Sequence, residues 1–158
     1  MAGIEAQLPS RATAVAPDRF EIAGRDGVLT ALLASSLAVC VCDSKREWGG
    51  LAHLRFLANS NLDIDATDTT LASDLLLLDR FFANMRKAAP PWSPLGAALY
   101  ASAIETPMGA RATQTVLETV RQFLKDAKIS LEREDIRPGG EYQLRFTVRA
   151  NQVDLNKK

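Results

Sequence analysis

Few side chains in this sequence ordinarily titrate near neutral pH or carry a thiol. There is one histidine, His53, and there are two cysteines, Cys40 and Cys42; the nearest hydroxyls upstream of them are Thr30, Ser35 and Ser36. An imidazole titrates near neutral pH and can act as a general base. A hydroxyl such as that of Ser36 attacks a carbonyl carbon only when such a base takes its proton. Each group also has a plainer use: a lone histidine packs as a structural residue, a small polar residue fills a tight turn, and a threonine sits in a strand. Cys40 and Cys42 stand two apart in an apolar run. A strand would turn both to one face with their α-carbons too far apart for an unstrained bridge. Reduced thiols are expected, and apolar neighbours suit them to packing rather than to nucleophilic attack. With one histidine and no CxxC pair, the chain supplies no zinc ligand set. Arg55 shares a strand face with His53. It is either a solvated edge charge or a cation beside the ring, where it would favour neutral imidazole.

The elements that must position these residues follow from the hydrophobic pattern. Residues 1–19 lack a period and read as a flexible lead-in, with a short strand at 20–22. From Val28 two apolar runs are split by Ala34, Ser35 and Ser36, and the second, 37–42, is apolar on both faces, as a buried strand is. Residues 43–47 form a polar turn. Trp48-Gly49-Gly50 leads into a strand at 51–57, paired with the preceding one as a hairpin. Asp68, Thr69 and Thr70 offer N-cap oxygens for a helix in which Leu71, Leu75, Leu78, Phe82 and Met85 form one stripe, ending at Pro90-Pro91. A strand over 96–106 precedes a second helix that opens near Pro107 and buries Val116, Val120, Phe123, Leu124 and Ala127. Residues 129–136 and 142–150 close the chain as a hairpin through Pro138-Gly139-Gly140, with Asn151-Gln152 a turn into 153–155. This order predicts an α+β fold in which β-sheet layers are covered by two long helices, as one domain spanning 20–158.

The chain has 158 residues, 47% of them hydrophobic, with 19 lysines and arginines balanced by 19 aspartates and glutamates. That content suffices for the core of one domain. The zero net charge predicts neither a nucleic-acid partner nor an anionic surface. The first residues lack a signal-peptide pattern, and no apolar run approaches the ~18 residues of a membrane span. A cytoplasmic protein without membrane insertion is expected.

Thr30, Ala34-Ser35-Ser36, Leu37-Ala38-Val39-Cys40, Asp43, Gly49-Gly50 and Leu51-Ala52-His53 together resemble the CheD family of chemoreceptor glutamine deamidases. That family carries a threonine, a glycine-serine-cysteine turn into an apolar strand, a paired-glycine turn and a histidine, at intervals that agree here without a gap. Gly109-Ala110-Arg111 resembles the start of the family's second long helix, with Ala112 in place of an asparagine. Gly139-Gly140 with Arg145 resembles its terminal motif, and Gly96-Ala97-Ala98 is what remains of a glycine-rich segment. The similarity spans about residues 20–155. It implies a CheD-like layered α/β sandwich and a catalytic triad at Ser36, His53 and Thr30. His53 would be general base, Ser36 would attack an amide in place of the family's cysteine, and Thr30 would hold the ring, without metal or organic cofactor. The implied reaction is conversion of receptor glutamine to glutamate in bacterial chemotaxis. The implied partners are the cytoplasmic helices of methyl-accepting receptors and a CheC-type phosphatase. Ser36 for cysteine and Ala34 for glycine depart from the pattern. Serine is the weaker nucleophile in a site built for sulfur, and a left-handed turn residue would be strained by a β-carbon. The expected activity is therefore weakened or lost, the alternative being an inactive homologue that binds receptors or the phosphatase.

Overall fold

A computed structural model describes residues 12–55, 64–103 and 106–158, with the backbone alone between 64 and 71. The described residues form nine strands and two helices: β1 (Ala12–Ala14), β2 (Arg19–Gly24), β3 (Val28–Ala34), β4 (Leu37–Asp43), β5 (Trp48–Leu54), α1 (Ile64–Ala88), β6 (Leu95–Ser102), α2 (Pro107–Asp126), β7 (Ser130–Arg137), β8 (Glu141–Thr147) and β9 (Gln152–Lys157). They build a four-stranded sheet in the order β1-β3-β8-β9 and a five-stranded sheet in the order β2-β5-β4-β6-β7.

β4 is buried along its whole length. It lies at the centre of the five-stranded sheet, antiparallel to β5 and to β6. Its alternate residues serve two cores. Leu37, Val39 and Val41 pack with the helices, whereas Ala38, Cys40 and Cys42 pack against the four-stranded sheet. This explains why the run is apolar on both faces.

The two helices cover only the outer face of the five-stranded sheet, and the four-stranded sheet covers the other. The expectation of sheet layers covered by two long helices is therefore corrected. Strand dominates, both sheets mix parallel and antiparallel pairs, and one of the two core clusters is sheet on sheet. Helix stripes are easy to count in a sequence. The inward face of β8, with Tyr142, Leu144 and Phe146, needs another sheet to bury it, and periodicity does not say which layer that is.

α1 begins at Ile64, ahead of the expected caps at Asp68 to Thr70, because no glycine or proline interrupts the chain from there to Ala88. Its threonines, aspartates and asparagine are weak helix formers. Burial of Leu78, Phe81, Phe82 and Met85 holds it instead, each worth roughly 1.5–3 kcal/mol. The strand expected over 96–106 stops at Ser102, and Thr106 caps α2 by accepting the Gly109 amide at 3.0 Å.

The terminal hairpin is also corrected. β7 runs parallel to β6, joined by α2 as the crossover that a parallel pair requires, while β8 pairs with β3 and β9 in the other sheet. Leu131 and Ile136 of β7 pack toward the helices and β8 packs between the sheets, so the two strands serve different cores. β1 falls within the stretch read as a lead-in and pairs in parallel with β3.

Gly49 and Gly50 lie inside β5 rather than in a turn. A β-carbon on Gly49 would come within 2.7 Å of Val148 Cγ2, and one on Gly50 would collide with the Phe81 ring. The pair lets a helix and a sheet approach opposite faces of one strand.

Candidate active site

β3 and β4 are joined by Ser35 and Ser36, and the left-handed residue of this tight connection is Ser35, with φ 49°. Ala34 is the last residue of β3, paired with Glu141. The strain expected at Ala34 is thus absent, because the turn places positive φ one residue later. Ser36 precedes β4 and, with Ala38, Cys40 and Cys42, points to the inter-sheet face. In β5, Ala38 stands opposite His53, whose face also carries Leu51. Ser36 and His53 are therefore diagonal neighbours across an antiparallel pair, close enough for side chains to meet.

Ser36 Oγ lies 2.9 Å from His53 Nε2, and His53 Nδ1 lies 3.0 Å from the Val15 carbonyl oxygen. A carbonyl only accepts, so Nδ1 carries the ring proton. In the neutral ring Nε2 is then the acceptor, and the Ser36 hydroxyl donates to it. The Ala34 amide donates to Ser36 Oγ at 3.2 Å, and the Ser102 amide donates to the Ser36 carbonyl at 3.1 Å. Both side chains are nearly sealed, Ser36 at 2% and His53 at 1% exposure. Burial lowers the His53 pKa from its ordinary 6.5, and two smaller influences oppose it: the hydrogen bond to Val15 and the charge of Asp18. The ring is neutral at pH 7, as a general base must be.

Of the three expected catalytic residues, the structure brings Ser36 and His53 together and leaves the Thr30 side chain out. Leu29, Ala31 and Leu33 fill the inter-sheet core, so by strand alternation Thr30 faces the outer side of the four-stranded sheet. Thr30 takes part through its backbone. Its carbonyl accepts the Val15 amide at 2.8 Å, and Val15 in turn holds the ring. Sequence reasoning missed Val15, a buried residue just beyond β1. The available signal was the single valine of the first 19 residues, in an aperiodic stretch. Ser102 was missed as well; fully buried, its hydroxyl donates to the Gly140 carbonyl at 2.6 Å and anchors the β7–β8 turn beside Ser36.

Arg55 follows β5 and pairs with Asp18 at 2.7 Å, both ends exposed, so it is an edge charge. Asp18 is bound to the His53 strand through its amide, which donates to the His53 carbonyl at 2.8 Å. Cys40 and Cys42 are free and buried. Burial pushes both thiols up, Cys42 to about 12 with help from the Asp43 charge, so neither is a thiolate at neutral pH. No described helix is long and apolar enough to cross a membrane.

No family model matches the chain. No curated protein matches it either. Two solved structures are among those it is similar to. One is the crystal structure of Neisseria meningitidis protein NMB0706, of the DUF152 family model, at 12% identity and TM-score 0.47, covering 91% of this chain and 78% of that one. The other is the Bacillus licheniformis hypothetical protein YfiH, at 16% identity and TM-score 0.43, covering 75% of this chain and 51% of that one. With no family model and no curated protein matching, and neither of these two structures a CheD protein, the CheD assignment is corrected, together with the chemotaxis role, the receptor-glutamine reaction and the inactive receptor- or CheC-binding alternative. The matched intervals have a simpler physical basis. Any hairpin of this length places a residue before its first strand beside one near the end of its second.

Proposed function

We propose that Ser36 and His53 form a nucleophile–base pair that hydrolyses a carboxylic ester or amide. The observation that carries this is the directed relay in which Val15 C=O accepts from Nδ1 and Nε2 accepts from the Ser36 hydroxyl, at 3.0 and 2.9 Å. As Ser36 Oγ bonds to the acyl carbon, its proton passes to Nε2, and the imidazolium returns that proton to the leaving oxygen or nitrogen. Water activated by the same nitrogen then releases the acyl group. A backbone carbonyl on Nδ1 fixes the tautomer and orientation of the ring but brings no full charge to the imidazolium. Turnover is accordingly slower than with a carboxylate in that place.

Near-complete burial of both side chains favours a second role for the same pair, as a cross-strand hydrogen bond closing one end of the inter-sheet core. A fluorophosphonate probe separates the two. Under the hydrolase reading, intact-mass and peptide analysis finds one adduct on Ser36, absent in Ser36→Ala and reduced at least about a hundredfold in rate in His53→Gln. A folded protein that forms no adduct, or one labelled equally fast without His53, refutes the hydrolase and leaves the structural role.

A further inference from the structure

Both tryptophans of the chain sit at the end of the fold opposite Ser36, and both reach solvent, Trp92 at 73% and Trp48 at 36% exposure. Buried Asp43, at the far end of β4, fastens the two segments that carry them. One carboxylate oxygen accepts the Glu47 and Trp48 amides at 2.8 and 2.9 Å, and the other accepts the Ser93 hydroxyl at 3.0 Å. Ser44 and Ser93 hydroxyls meet at 3.0 Å, and the Ser44 amide donates to the Pro94 carbonyl. Trp92 stands between Pro91 and Ser93-Pro94, so its loop is stiff, and an exposed indole there fills no core.

Six cations lie on the segments that meet at this end. Lys45 and Arg46 lie in the β4–β5 turn, Arg86 and Lys87 in the last turn of α1, and Lys125 and Lys128 at the end of α2; all six are exposed. Arg86 joins the two helix ends by donating to the Ala127 carbonyl at 3.0 Å. Glu47, buried Asp43, Asp126 and Glu132, whose side chain covers Gly96 at the start of β6, oppose these cations, and the two helix C-termini add roughly half a negative charge each. Six cations against four carboxylates and the helix ends leave a small positive balance, on a chain whose net charge is zero.

We propose that this end docks on an anionic lipid bilayer, with Trp92 and Trp48 at headgroup depth and the surrounding lysines and arginines against the lipid charges. Indoles favour that depth because one edge is apolar and the N–H is polar. Basic side chains near an anionic leaflet add attraction that one signal alone does not supply. A single-stranded nucleic acid would also suit tryptophan beside cations, but it needs a groove that tracks its backbone, and an indole exposed to 73% on a loop tip lines none.

The full chain is mixed with vesicles of phosphatidylcholine, alone or containing phosphatidylserine, and followed by flotation and tryptophan emission. Flotation with the anionic vesicles only, a blue-shifted emission and release by salt are expected. Lys45→Glu and Lys87→Glu should each weaken binding about fivefold or more. Trp92→Ala should weaken it roughly tenfold with an unchanged far-UV spectrum, since the side chain supports no core. Absence of flotation, equal flotation with neutral vesicles, or undiminished binding by Trp92→Ala overturns the proposal. Tighter binding to oligothymidylate than to vesicles, with quenched emission, overturns it in favour of a nucleic acid.

Discussion

Removing the Ser36 hydroxyl by Ser36→Ala tests the hydrogen-bond direction on which the site depends. The substitution deletes one oxygen from a position 2% exposed and leaves His53 Nε2 without its donor inside the protein. An orphaned buried acceptor costs about 1–3 kcal/mol, and the small void adds a few tenths at most. For a chain of this size that is a fall in Tm of roughly 2–12 °C. The pH dependence supplies a second, independent signature. The folded pKa of His53 lies below its ordinary 6.5, so between 6.5 and that lower value the unfolded chain binds a proton that the native protein does not. Stability therefore rises with pH in this window, by at most about 1.4 kcal/mol per pH unit, and falls on acidification below 6.5. The Ser36 hydroxyl donates to the neutral ring and would accept from the protonated one, so its removal takes a partner from both forms and changes the acid-side slope. Urea unfolding of wild type and Ser36→Ala at pH 8 and at steps down to 5 measures both effects. A midpoint unchanged at pH 8, together with an unchanged slope below 6.5, would refute the assignment of the proton to the hydroxyl and of the lone pair to Nε2.

Cys40 and Cys42 should react slowly with a thiol reagent in native protein and rapidly in denaturant, given their burial and the raised thiol pKa; rapid native labelling would place one of them at the surface. Gly49→Ala should lower stability by about 1–3 kcal/mol, because its β-carbon would approach Val148 Cγ2 at 2.7 Å and Phe146 Cε2 at 3.2 Å; a neutral effect in urea unfolding would show that β8 has room to shift. Asp43→Ala should cost roughly 3 kcal/mol or more, since the Glu47 and Trp48 amides and the Ser93 hydroxyl lose their acceptor together, and Trp48 and Trp92 emission should broaden as their segments separate. Arg55→Ala should change stability by no more than about 1 kcal/mol, because its ion pair with Asp18 is exposed at both ends.

Local pattern was enough for the elements closest to the site. The apolar run from Leu37 to Cys42 is long enough only for a strand, and its lack of a polar face required burial on both sides, as β4 shows. The polar turn after Asp43 and the strand through His53 made the β4–β5 hairpin legible, and with it the neighbourhood of Ser36 and His53. The stripe from Leu75 to Met85 and the Pro90-Pro91 stop marked α1, while Pro107 marked the start of α2. Strand alternation also determined that Cys40 and Cys42 share a face.

Tertiary structure decided what no local period encodes. β7 and β8 are joined by a turn that reads as a hairpin, yet their apolar residues belong to different cores, and the choice of partner depends on strands far away in the chain. The turn residue with positive φ is Ser35 because the pairing of Ala34 with Glu141 holds β3 extended to its last residue. Thr30 faces away from His53 because β3 lies in the opposite sheet, where its odd-numbered residues fill the space between the layers. The group that orients the imidazole is a main-chain carbonyl, at Val15, and every residue type supplies one; only the parallel pairing of β1 with β3 brings it within 3.0 Å of the ring.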